Sequence, residues 1–85
     1  MTRYAFFYFM KDDPEGVRDA VPRHIEYWKT LALADYMGGP FADRSGGLIT
    51  FSASNEAEAE RLVAADPFVT AGVLSQHWLK PWLVS

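Results

Sequence analysis

Two polar residues stand where apolar ones are expected, and both are of types that move protons. His24 is followed at three and four residues by Tyr27 and Trp28. On a helix that spacing puts one imidazole beside two aromatic rings on a single face. Pro22 reads as the opening residue of this helix, which places His24 in the first turn. The positive end of a helix disfavours an imidazolium there. A neutral imidazole accepts a proton near pH 7 and suits a general base. The same His also reads as a partly buried ring that hydrogen-bonds locally. Asp66 is the second residue. It lies four residues after Leu62 and three after Val63, so it continues the apolar stripe of a later helix. A carboxylate in that place needs a partner, because an unpaired buried charge is costly. Two partners suit it. It caps a turn through Asp66-Pro67 geometry, or it meets His24 and forms a dyad in which the carboxylate orients the ring.

Whether the two meet depends on the elements that carry them. Tyr4 to Met10 is aromatic, β-forming and too short for a helix, so it reads as the first strand. Asp13 before Pro14 is an N-cap followed by proline at the first helical position, but Gly16 weakens the turn and Pro22 interrupts it. The stronger helix then runs from Pro22 to about Leu33 or Asp35, with Ile25, Trp28, Leu31 and Ala32 at helical spacing. Tyr36 to Phe41 reads as a second strand, bent at Gly38-Gly39-Pro40. Asp43 to Gly47 is a turn cluster of solvated residues, and Leu48 to Ala53 is the third strand. Asn55 with Glu58 opens the next helix in a capping-box arrangement, with Ala59, Leu62 and Val63 as its buried stripe. Pro67 limits it. Val73 to Leu79 is the fourth strand, ended or made an edge by Lys80-Pro81-Trp82.

The order is β-α-β-β-α-β, an α+β chain of the ferredoxin-like kind with helices on one face of an antiparallel four-stranded sheet. In that arrangement the two helices lie side by side, within reach of a His24–Asp66 contact. Strand one carries Tyr4, Phe6 and Tyr8 on one face and Ala5, Phe7 and Phe9 on the other. A sheet apolar on both faces is covered on both. The expected cover for the second face is another copy, giving a face-to-face homodimer.

Bulk composition narrows the function. The 85 residues suit one domain, and 15% are aromatic, more than one small core comfortably hides. Eight basic and eleven acidic residues give a net charge of −3, and no basic run exists to track phosphates, so nucleic acid is not an expected partner. No stretch is long enough for a membrane helix, and the default is a soluble, cytoplasmic protein. There is no cysteine, and His24 and His77 are the only histidines, without carboxylates at ligand spacing, so no metal site is expected. His77 reads as a sheet residue in phase with Ser75 and Leu79, suited to an interface. No phosphate-binding glycine loop and no nucleophile elbow is present.

Pro22-Arg23-His24, Gly39-Pro40, Ala65-Asp66-Pro67-Phe68, Ala71-Gly72-Val73 and Lys80-Pro81-Trp82, in this order, resemble the YciI-like (YCII-related) family over nearly the whole chain. The stretch from Asp66-Pro67-Phe68 to Lys80-Pro81 is the most specific part. The resemblance implies a ferredoxin-like dimeric α+β barrel, related in fold to muconolactone isomerases, with His24 and Asp66 as the active-site pair. The leading reading is a small cofactor-independent enzyme acting on a small molecule. One characterised activity of the family is dehydrochlorination of a chlorinated hydroxyhydroquinone. The expected substrate-binding residues are Tyr27, Trp28, Gly39, Pro40, Pro67 and Phe68, with Trp78 and Trp82 as further candidate walls. The chain departs from the common pattern at Asp35-Tyr36, where a glycine often follows the first helix. The leading expectation is elimination or isomerisation by proton transfer. The alternatives are a non-catalytic ligand-binding domain and a dimerisation module.

Overall fold

Alternation along the first strand decides which side of the sheet the helices occupy. The computed structural model describes residues 1–85. In β1 (Thr2–Met10) Tyr4, Phe6 and Tyr8 are buried, while Ala5, Phe7 and Phe9 between them are only half-buried. β1 pairs antiparallel with β3 (Gly46–Ala53) on one side and β4 (Leu74–Pro81) on the other. The short β2 (Met37–Pro40) extends the sheet beyond β3, for an order β2-β3-β1-β4. With α1 (Pro14–Leu31) and α2 (Glu56–Ala64) between the strands, this is the ferredoxin-like β-α-β-β-α-β fold. A one-turn helix, α3 (Pro67–Thr70), lies between α2 and β4.

The core forms between the helices and one sheet face. Tyr4 and Phe6 of β1 meet Ile49, Phe51 and Ala53 of β3, and Ala20 and Trp28 of α1, Ala59 and Val63 of α2 and Phe68 of α3 close over them. The opposite face is uncovered. Phe7 stacks on Trp78 with ring centroids 5.3 Å apart, and Phe9 touches both Trp78 and Phe41. Leu48, Met37 and Trp78 are exposed on this side. His77 pairs with Tyr8, so it belongs to the helix side of the edge strand β4, where its ring meets Phe6 edge-on.

Three local readings need correction. First, Pro22 does not open a helix. Asp13 caps α1 by accepting from the Gly16 N–H at 3.1 Å, and the helix then runs unbroken through Pro22. The carbonyl that loses its intrahelical donor belongs to Arg18, an exposed residue, which puts the proline on the outer side of the helix rather than against the core. His24 is therefore mid-helix, and the helix terminus exerts no pull on its imidazole. Second, the buried line of α1 is Ala20, His24 and Trp28, four residues apart, and Ile25 is 58% exposed. Ala32 is the left-handed C-cap rather than a core residue. Third, Gly46 and Gly47 belong to β3, paired with Phe9 and Tyr8, not to the preceding turn. The Asn55 cap is as expected: it accepts from Glu58 N–H at 2.9 Å, and Glu58 returns a bond to the Ser54 N–H.

An interior proline costs a helix hydrogen bond and a steric contact. Pro22→Ala restores the N–H to Arg18 and is expected to raise stability by about 1–3 kcal/mol. Urea denaturation checks this, and an unchanged or lower midpoint contradicts it.

Candidate active site

The Asp-Pro pair does two jobs at once. Asp66 is the N-cap of α3, and its Oδ1 accepts from the Phe68 N–H at 2.9 Å. The same carboxylate faces α1. His24 Nδ1 lies 2.8 Å from Oδ1 and 3.0 Å from Oδ2, and Trp28 Nε1 donates to Oδ2 at 2.9 Å. The turn cap and the dyad were alternatives in the sequence; in the folded chain they are one arrangement. The four-residue spacing of His24 and Trp28 stacks both donors on one side of α1, directly over Asp66.

Asp66 is fully buried. Three N–H groups converge on its two oxygens and no acceptor does, the surroundings an acceptor-only carboxylate needs. This fixes the tautomer of a neutral His24: Nδ1 carries the proton and donates it to Asp66, so Nε2 keeps its lone pair. Nε2 has no protein partner and is not sealed from solvent. Phe68 lies flat against the imidazole, with centroids 3.8 Å apart and planes 12° off parallel, and Tyr8 meets it edge-on. The ring is thus clamped on a face, an edge and one nitrogen, with the second nitrogen open.

That nitrogen opens on a cleft of about 670 Å³ between α1, α3 and the β2–β3 end of the sheet. The volume falls in the range of small-molecule sites. His24, Trp28, Gly39, Pro40 and Phe68 all line it. Tyr27 and Pro67 do not: the Tyr27 hydroxyl donates to the Leu62 carbonyl at 2.5 Å and ties α1 to α2. Trp78 and Trp82 are also absent from its wall. Trp78 lies on the uncovered sheet face, and Trp82 borders a smaller depression with Ala5, Leu48 and Lys80.

The cleft also includes residues the sequence reading passed over, namely Tyr8, Tyr36, Lys29 and Arg44. Burial first, then the Asp66 charge, then Tyr36, push the Tyr8 phenol far above its ordinary value. Burial and then Asp66 push Tyr27 and Tyr36 in the same direction. Tyr8 was readable only as one more apolar position of β1, and Tyr36 only as the start of a strand. The signal that could have found them is the glycine set against each.

A YCII-related domain matches residues 2–83. The chain belongs to the YCII-related domain family. Among solved structures, it resembles 5-chloro-2-hydroxyhydroquinone dehydrochlorinase from Burkholderia phenoliruptrix AC1100, in complex with 2,5-dihydroxybenzoquinone, at a TM-score of 0.82 and 22% identity, over 98% of this chain and 95% of that one. A structure described as an antibiotic biosynthesis monooxygenase follows at a TM-score of 0.69 and 14% identity, over 100% of this chain and 99% of that one. At these identities the two structures attest the shared fold. No curated protein matches the chain. The YCII-related chain contains no helix long and apolar enough to cross a membrane.

The donors around Asp66 give a stability prediction. In Asp66→Asn one oxygen becomes an NH2 that must face either the Trp28 N–H or the Phe68 N–H, donor against donor, while a neutral His24 can turn acceptor by changing tautomer. The expected loss is about 1–3 kcal/mol, the cost of leaving one buried donor unmet. Asp66→Ala strands all three donors and should lose more. Chemical denaturation of both variants measures this, and an Asn variant as stable as the parent would contradict the arrangement.

Proposed function

We propose that this chain is a small enzyme that transfers protons on a hydroxylated ring, with His24 as the base and acid and Asp66 as its positioning partner. The observation that carries the reading is the 2.8 Å His24–Asp66 contact, which holds Nδ1 and turns the Nε2 lone pair of a neutral ring toward the cleft. In the reaction Nε2 removes the proton of a ring hydroxyl, and Asp66 offsets the positive charge the imidazole takes up. Returning that proton to a ring carbon converts the enol form to the ketone, an isomerisation. If that carbon carries chlorine, a second hydroxyl can then lose its proton while the ring electrons expel chloride with its bonding pair. The sum is loss of HCl, and no electron enters or leaves the ring–enzyme system, so no oxidant is needed. The likeness to a dehydrochlorinase supports this version, as does a cleft walled by flat rings from Trp28, Tyr36 and Phe68.

General acid–base help is worth about 10² to 10⁴ in rate. His24→Ala should lose turnover of a chlorinated hydroxyhydroquinone by that factor while its circular dichroism spectrum is unchanged. Chloride release measures it, and parental activity in the variant would sink the assignment. Binding without conversion by the parent chain would favour a non-catalytic ligand-binding role.

A homodimer belongs to the same proposal. The uncovered face presents Phe7, Phe9, Phe41, Leu48 and Trp78 as one aromatic and aliphatic surface. Such surfaces mark contact sites, and a second copy of this sheet offers a matching one. Light scattering should return twice the chain mass, and Trp78→Lys with Leu48→Lys should shift it toward the monomer. A monomeric parent at working concentration rules the dimer out.

A further inference from the structure

The polar side chains of the cleft, apart from His24, share one chemical property. They are Tyr8, Trp28, Lys29, Tyr36 and Arg44. No carboxylate, amide or aliphatic hydroxyl lines the cleft. Trp28 spends its only donor on Asp66, and Lys29 and Arg44 make no ion pair. The two phenols donate to no protein acceptor; the Tyr8 oxygen is not sealed away, and Tyr36 is an exposed residue of the cleft wall, so both face a bound molecule.

Their placement is built rather than incidental. The Tyr8 phenol lies across Gly47, where a Cβ would sit 2.4 Å from its oxygen. The Tyr36 phenol lies across Gly38, where a Cβ would sit 2.7 Å from its oxygen. The two glycines are on neighbouring strands, β3 and β2, at the end of the sheet that floors the cleft. Trp28 holds the Tyr36 ring from above, with centroids 5.9 Å apart and planes 19° off parallel. Gly47 pairs with Pro40, two residues along β2 from Gly38, so the two phenol oxygens lie over nearby positions of the same sheet face and line the cleft together with His24.

We propose that the Tyr8 and Tyr36 hydroxyls form a donor pair that binds an anionic oxygen on a planar ring, with Lys29 and Arg44 supplying the counter-charge at the rim. This names the substrate class of the reading above and rests on it: the ring occupies the cleft as an enolate, phenolate or hydroxyquinone anion. Burial first and then Asp66 push both phenols up, so they stay protonated near neutral pH; the same field opposes a bound anion, and the Lys29 and Arg44 charges at the rim offset it. A donor that cannot ionise needs an acceptor, and an anionic oxygen is the strongest available. The donors meet the oxygen that gains charge as His24 takes a proton, the geometry of oxyanion stabilisation.

The test uses 2,5-dihydroxybenzoquinone, an anion at neutral pH whose visible absorption band reports hydrogen bonds to its oxygens. Calorimetry and the band shift are read for the parent chain, Tyr8→Phe, Tyr36→Phe, the double variant and His24→Ala. Each Tyr→Phe substitution should weaken binding about tenfold or more, as expected for a hydrogen bond to a charged group. The paired loss should differ from the sum of the single ones, because both donors serve one oxygen. Lys29→Met and Arg44→Met should weaken binding by a few-fold, an effect that fades with added salt. Catechol, neutral at the same pH, should bind at least tenfold more weakly than the anion. Equal binding of catechol and the anion, or parental affinity in both Tyr→Phe variants, overturns the proposal, as does no binding of the anion by the parent chain. His24→Ala should keep affinity for the anion within a few-fold while losing turnover. If it keeps turnover instead, the base assignment fails and the donor pair stands.

Discussion

A carboxylate that water cannot reach has to find its hydrogen-bond donors in the protein, and Asp66 sets much of this fold by that requirement. It draws one donor from a turn, one from an imidazole and one from an indole. Those donors come from α3 and from two successive turns of α1, so the carboxylate joins elements far apart in sequence. Removing a buried charge's partners is far more costly than any exposed ion pair is stabilising. The arrangement thus ties α1 to α3 through directional bonds. It also fixes the imidazole, because a ring bonded through Nδ1 and stacked on Phe68 has one nitrogen left to offer.

The aromatic excess of the chain divides along the same lines. Tyr4, Phe6, Phe51, Trp28 and Phe68 fill the helix side of the sheet, and Tyr8 and Tyr36 extend that packing into the cleft. Phe7, Phe9, Phe41 and Trp78 are on the other face. Strict alternation along β1 produces this split, since successive side chains of a strand point to opposite faces. One strand thereby serves the core, the cleft and the uncovered surface.

Sequence reasoning reached His24 and Asp66 because each breaks an apolar pattern, and a polar group in a buried stripe demands a partner. The order of elements was legible from strand and cap chemistry for the same reason: Asp13, Asn55 and the Asp66-Pro67 pair are local signals whose partners lie within a few residues. Pro22 was misread because a proline's effect depends on whether solvent can satisfy the carbonyl four residues earlier, a tertiary fact. The misreading placed His24 at a helix terminus and credited the helix dipole with an influence it lacks. Ile25 went wrong for a related cause. The phase of α1 is set by the Ala20–His24–Trp28 line, and a polar histidine does not register as part of a buried stripe. Tyr8 and Tyr36 escaped notice because a tyrosine in a strand looks like packing until a glycine is found beneath its oxygen.

Asp35, in the connection between α1 and β2, occupies a backbone conformation that suits glycine better, and the folded chain gives a physical account of the aspartate there. Asp35 takes a left-handed backbone conformation, φ 59°, which glycine adopts freely and which costs other residues roughly 1–2 kcal/mol. Aspartate is among the residues that tolerate it, and Arg3 adds a tether. The Arg3 guanidinium donates to the Asp35 carbonyl at 3.1 Å and lies 3.8 Å from its carboxylate. The exposed ion pair alone is worth little, but the carbonyl bond holds the backbone itself. It anchors the α1–β2 connection to the start of β1, one residue before the Tyr36 ring stacks on Trp28. A glycine at position 35 would reach the same conformation at no cost, yet would leave it one of several. Aspartate with Arg3 selects one, and the residue so positioned is the phenol at the edge of the cleft.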